Sequence, residues 1–119
     1  MRSDKKNLIV DVSFEFSLKI IEFAEELESK RKFVFANQLL KAGTSRGANI
    51  REAQNAESKA DFIHKMNIAA KEADEVEYFL LLCKCAKSYP FDQELLDRLN
   101  DIIRILSKII SSSKKQFSN

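Results

Sequence analysis

Lys41-Ala42-Gly43-Thr44-Ser45-Arg46-Gly47-Ala48-Asn49-Ile50-Arg51-Glu52-Ala53 contains both glycines of the chain, four residues apart among small side chains. Ala36, Leu39, Leu40, Gly43, Gly47 and Ile50 recur on one helical face, so the glycines fall inside an apolar stripe and not at a chain reversal. Positions four apart share a face of a helix, and this pair makes a shallow notch that a neighbouring backbone can approach. Thr44, Ser45 and Asn49 add short polar groups that bond back to their own backbone or across to a neighbour. The spacing predicts one bent helix from Phe33 to Glu57 in place of two helices and a loop. Its packing motif is Gly43, Thr44, Ser45, Gly47, Asn49 and Glu52, held at some cost in helix propensity.

Working outward, a basic connection, Lys30-Arg31-Lys32, precedes this helix, and residues 1–10 read as a basic arm. A first helix is expected from Asp11 to Ser29, with Asp11 or Ser13 as N-cap. Val12, Phe16, Ile20, Phe23 and Leu27 form its core stripe. Phe14, Leu18 and Ile21 form a second apolar strip on nearly the opposite side. A surface helix of a monomer needs one apolar face, so the second strip is the candidate oligomer interface. Ser58-Lys59-Ala60-Asp61 has the form of a capping box opening helix 3, with Asp in the place of the usual Glu. Phe62, Met66, Ala69, Ala73, Val76, Leu80 and Cys83 make a long seam along it. Pro90 stops that helix, Asp92 caps a fourth, and residues 111–119 form a polar tail expected to fray. Four helices with short connections predict an all-α, antiparallel up-down-up-down bundle in a single domain over residues 1–119.

Composition supports that class: two glycines and one proline in 119 residues leave little punctuation among many helix formers. A net charge of +2 permits a nucleic-acid partner without arguing for one. Cys83 and Cys85 are separated by about 200° on a helix, so they neither pair nor share a metal, and they read as buried free thiols of a reducing compartment. The charged first residues and the lack of a long apolar run predict a cytoplasmic protein with no secretory signal and no membrane span.

Catalytic chemistry finds little footing. Asp61 and His64 stand three apart with Glu52, Glu72 and Glu75 near in sequence, but one histidine is too few for a di-iron carboxylate set. Thr44 and Ser45 lack a nearby base, and Cys83 lies on the apolar seam. The glycines follow no strand and precede no Gly-Lys-Ser/Thr, so they are not a phosphate loop. No catalytic residue, metal or cofactor is expected, and His64 reads as a surface or interface residue. Arg31, Lys32, Lys41, Arg46 and Arg51 are the nucleic-acid-binding candidates, because a modest cationic patch repeated around an oligomer binds phosphates by counterion release. Aromatic residues interleaved with these charges are missing, which argues against sequence-specific single-strand recognition.

From Gln38 through Ala53 the chain resembles the bacterial four-helix-bundle proteins known as S23 or 23S rRNA intervening-sequence proteins. The likeness continues through Ser58, Asp61-Phe62, Lys65, Ile68-Ala69, Glu72-Ala73-Asp74-Glu75 and Tyr78-Phe79-Leu80. It departs at Arg46, where the family commonly has Ile, at Val76 for Thr, and at Phe79 for Trp. The resemblance implies a bundle that assembles into a homopentameric ring. It also implies a relation to accessory proteins of diversity-generating retroelements, whose basic pentamers bind nucleic acid and a reverse transcriptase. The resulting expectation is a non-enzymatic homo-oligomer associated with RNA or DNA and with a possible protein partner. The alternative is a structural or protein-interaction scaffold with no nucleic-acid role.

Overall fold

The computed structural model describes residues 7–118, with side chains through residue 115; residues 1–6 of the basic arm and residue 119 of the tail lie outside the described residues. Four helices follow one another: α1 (Leu8–Ser29), α2 (Phe33–Ala53), α3 (Lys59–Cys85) and α4 (Gln93–Ser118). Each packs on its two neighbours in a square, α1 on α2 and α4, α3 on α2 and α4. Phe35 early in α2 meets Phe79 late in α3, and Lys32 and Tyr89 just beyond those ends also meet, so α2 and α3 are antiparallel. Gly43 against Ile20 and Gly47 against Ser17 show the same for α1 and α2. The bundle measures 51 × 25 × 21 Å.

The helix ends differ from the sequence expectation in ways the local chemistry explains. α1 starts at Leu8, three residues earlier than expected, because Ile9 is buried on the stripe that Phe16 continues seven residues later. Asn7, and neither Asp11 nor Ser13, is the N-cap, and Ser13 is buried inside the helix. At the other end the Lys32 amide donates to Leu27 O at 2.8 Å and the Arg31 amide to Glu28 O at 2.9 Å. This is a Schellman closure, and it puts Arg31 in the left-handed region at φ 62°, a position that favours glycine. α2 ends at Ala53 and not at Glu57, since the amides of Gln54, Asn55 and Ala56 turn to carbonyls three residues back.

The Ser58 hydroxyl accepts from the Asp61 amide at 3.0 Å, while the Asp61 carboxylate accepts from the Glu57 amide at 3.2 Å, a capping box shifted by one residue. Asp92 caps α4 through bonds from the Glu94 and Leu95 amides. α4 then continues to Ser118, so the tail from 111 is helical; Ser113 is half-buried there, and Ile109 and Ser112 line a groove with Leu8 of α1. The core joins Phe16, Ile20 and Leu27 of α1 to Leu39 and Ile50 of α2, Met66, Val76 and Leu80 of α3, and Leu95, Leu99, Ile102 and Leu106 of α4. Each such side chain contributes roughly 1.5–3 kcal/mol when fully buried.

Candidate functional site

Both glycines face α1. A Cβ on Gly43 would lie 2.9 Å from Ile20 Cγ2, and one on Gly47 would lie 2.9 Å from Ser17 Oγ, so the notch lets α1 close on α2. The Ser17 hydroxyl spans the seam, within bonding distance of Ser13 O at 3.0 Å and Gly43 O at 3.4 Å. The helix stays continuous through the notch. On the opposite flank of α2, Asn49 Nδ2 donates to Glu72 Oε1 of α3 at 3.0 Å and to Ser45 O at 3.1 Å.

The rest of the polar motif does less between helices than the sequence suggested. The Thr44 hydroxyl returns to Leu40 O of its own helix at 2.7 Å, and Glu52 is exposed. Serine and threonine hydroxyls in a helix readily satisfy themselves on the preceding turn.

Arg46 overturns its assignment as a phosphate contact. It is 0% exposed, packed inside the bundle with its guanidinium carbon 4.8 Å from the centroid of the Phe16 ring. Nη2 donates to Gly43 O at 3.4 Å, and Nε and Nη1 have no hydrogen-bond partner among the described residues. Burial brings its pKa down to about 10, partly offset by Glu72. Burial in turn raises the Glu72 carboxyl above its ordinary value, opposed by the Asn49 bond, reinforced by Glu75 and opposed again by Arg46.

The second strip of α1 is on the surface: Phe14 is 59%, Leu18 48% and Ile21 40% exposed. Leu40 of α2 is exposed as well. Between the helices lies a half-open groove of about 230 Å³ lined by Val10, Phe14, Ser17, Thr44, Gly47, Ala48 and Arg51. Lys41 and Arg51 are exposed on α2 with no ion-pair partner among the described residues. Arg31 and Lys32 are about 30 Å from Arg51 along the helix axis, with Lys41 about midway, so the candidate cations are spread along α2 and do not form one patch.

Around Arg31 and Lys32 the structure adds residues that the sequence reading passed over. Lys84 and Lys87 arrive from the end of α3 and its connection to α4, and Phe33 is exposed at the first position of α2. The adjacency of Phe33 to Lys32 was available as a signal. The two thiols also separate: Cys83 is buried, with its pKa pushed up to about 11 by burial, whereas Cys85 is exposed, correcting the expectation that both are buried. His64 is exposed, and no group of three or more His, Cys, Asp or Glu side chains able to hold a metal occurs among the described residues.

A notch of two glycines on one flank of α2, an asparagine–carboxylate bridge on the other and an apolar strip outside α1 make a helical packing unit. The description "23S rRNA-intervening sequence protein" matches residues 5–112 of the chain. The chain belongs to the 23S rRNA-intervening sequence protein family. A crystal structure of an S23 ribosomal protein family member of unknown function, from Bacteroides thetaiotaomicron VPI-5482, is similar over 86% of this chain and 97% of that one. The identity is 41% and the TM-score 0.81. No curated protein matches the sequence. The family assignment agrees with the four helices seen here, and no helix among the described residues is long and apolar enough to cross a membrane.

Proposed function

We propose that this 23S rRNA-intervening sequence protein is a non-enzymatic, cytoplasmic homo-oligomer, a pentamer by family likeness, that serves as an RNA- or DNA-associated accessory factor. The observation that carries the reading is the exposed strip of Phe14, Leu18 and Ile21 beside a fully formed core stripe on the same helix. Three large apolar side chains along one flank of a helix are the kind of contiguous surface that marks association, and Leu40 of α2 is exposed as well. Repetition of Arg31, Lys41 and Arg51, exposed and unpaired among the described residues, around such an assembly multiplies a modest cationic surface, which supports phosphate contact.

Phe14→Asp and Leu18→Asp test the assembly. Light scattering should report the subunit mass for each variant, with helical circular dichroism retained; wild-type mass in both variants would exclude this strip as the interface. Oligonucleotide binding followed against salt tests the second half. Absence of binding at low salt would favour the scaffold reading, in which the protein contacts only copies of itself or another protein.

A further inference from the structure

We propose that the end of the bundle where α1 meets α2 and α3 meets α4 is the contact surface for a single-stranded nucleic acid, with Arg31 and Phe33 at its centre. The inference rests on the nucleic-acid reading above and gives it a place on the molecule.

Five cations gather at this end: Lys30, Arg31 and Lys32 from the α1–α2 connection, Lys84 from the last turn of α3, and Lys87 from the α3–α4 connection. Lys32 holds the two connections together, with Nζ 3.3 Å from Ser88 Oγ and 4.6 Å from the centre of the Tyr89 ring. The side chains of Lys30, Arg31 and Lys87 are exposed and unpaired among the described residues. Of the nearby acids, Asp92 is engaged in capping α4 and Glu94 pairs with Arg98 at 3.0 Å, while Glu25, Glu26 and Glu28 are exposed on the last turns of α1, so the five cations face three open carboxylates.

Aromatic rings stand among these charges. Phe33 is 55% exposed, next in sequence to Lys32, and has no ring partner among the described residues. A line of ring contacts runs from exposed Tyr78 to Phe79 at 5.8 Å, Phe35 at 5.2 Å and Tyr89 at 4.8 Å, ending under Lys32. Phe35, Phe79 and Tyr89 are half-buried in this line, which leaves Phe33 and Tyr78 as the exposed rings. Cations beside exposed rings match a strand that offers phosphates and unstacked bases together. A duplex presents only its phosphates to such a surface, and an acidic peptide has no base to stack.

The residue choice at position 31 points the same way. The left-handed backbone there is the place where a helix closure takes glycine or asparagine. Arginine is costlier at that position, and its side chain makes no hydrogen bond or ion pair among the described residues that would offset the cost. A cation kept where the fold favours glycine is accounted for by a contact outside the chain.

Arg31→Gly therefore separates folding from binding. Fluorescence anisotropy would be measured with labelled 20-mers of oligo(U) and oligo(dT), a duplex of equal length, and poly-glutamate, each over a salt series. We expect wild type to prefer the single strands. Arg31→Gly should weaken single-strand binding about 3- to 10-fold with a shallower salt slope, while its melting temperature holds or rises. Phe33→Ala should weaken single strands about fivefold or more and leave the duplex unchanged. Lys108→Gln, about 22 Å from the start of α4, serves as the control and should bind like wild type.

The placement is overturned, with the function above left standing, if Lys41→Gln/Arg51→Gln loses binding while Arg31→Gly and Phe33→Ala keep it. Both readings fall if wild type binds no oligonucleotide at low salt. Binding of poly-glutamate in preference to the single strands, insensitive to Phe33→Ala, would make the surface a site for an acidic protein and overturn the proposal.

Discussion

Arg46 of α2 lies against Phe16 of α1, its guanidinium carbon 4.8 Å from the ring centroid, in a site closed to solvent. The ring face offers a cation–π contact, but Nε and Nη1 are left without acceptors among the described residues. An unpartnered buried donor costs about 1–3 kcal/mol, more for a charged group. Arg46→Met keeps an unbranched chain in the space and removes both donors and the charge. Replacing buried ion pairs by well-packed apolar side chains is often neutral or stabilising by about 1–4 kcal/mol, and Arg46 lacks even a paired carboxylate among the described residues. Urea unfolding should show a gain of that order for Arg46→Met. A loss would mean that the guanidinium is satisfied in solution.

The two glycines predict different outcomes for one substitution. Alanine gains about 1 kcal/mol over glycine inside a helix. At Gly43 the new methyl meets Ile20 at Cγ2, Cγ1 and Cβ, between 2.9 and 3.3 Å, and Ile20 is wholly buried. Overpacking of this kind costs about 1–3 kcal/mol, so Gly43→Ala should be neutral to destabilising. At Gly47 the close atom is the Ser17 hydroxyl, which can turn about χ1 by giving up its bonds to Ser13 O and Gly43 O, a cost of about 0.5–1.5 kcal/mol that the helix gain offsets. Gly47→Ala is expected to be the more stable of the two in denaturant melts.

Thiol labelling distinguishes the two cysteines. Cys85 should react with an aromatic disulfide reagent in the native protein, because it is exposed at the last residue of α3. Cys83 is packed in the core, and burial holds its thiol protonated to about pH 11. It should label only as fast as the bundle opens. Two equally fast thiols at neutral pH would contradict the packing of the α3 seam.

Much of this architecture was legible because the stripes repeat at the helical period, as Phe16-Ile20-Phe23-Leu27 shows. The exposed strip of Phe14, Leu18 and Ile21 followed from the same arithmetic. Helix ends were less legible, since Ile9 extends α1 only by finding cover in the assembled bundle. Arg46 escaped because arginine is rarely buried whole. Its position held the clue, seven residues after Leu39 and four before Ile50, both wholly buried. Of the basic end, Lys30-Arg31-Lys32 and the adjacent Phe33 were legible, whereas Lys84 and Lys87 join it only through the antiparallel return of α3.

Glu72 gives the bundle a predictable acid dependence. Burial, with Glu75 close by, raises its carboxyl above the ordinary value, against the opposing effects of Asn49 and Arg46. In the window between the ordinary value and the raised one, the folded protein holds more protons than the unfolded chain. Stability from this group is therefore full below the ordinary glutamate pKa and is lost as pH rises through the folded value. Glu72→Gln keeps an acceptor for Asn49 and removes the titration. Melting temperatures measured from pH 4 to pH 7 should show the variant gaining on wild type as pH rises. A constant difference over that range would mean that Glu72 titrates alike in the folded and unfolded chain. A growing deficit would mean that its charge chiefly neutralises Arg46, and in that case Arg46→Met/Glu72→Gln should recover the loss.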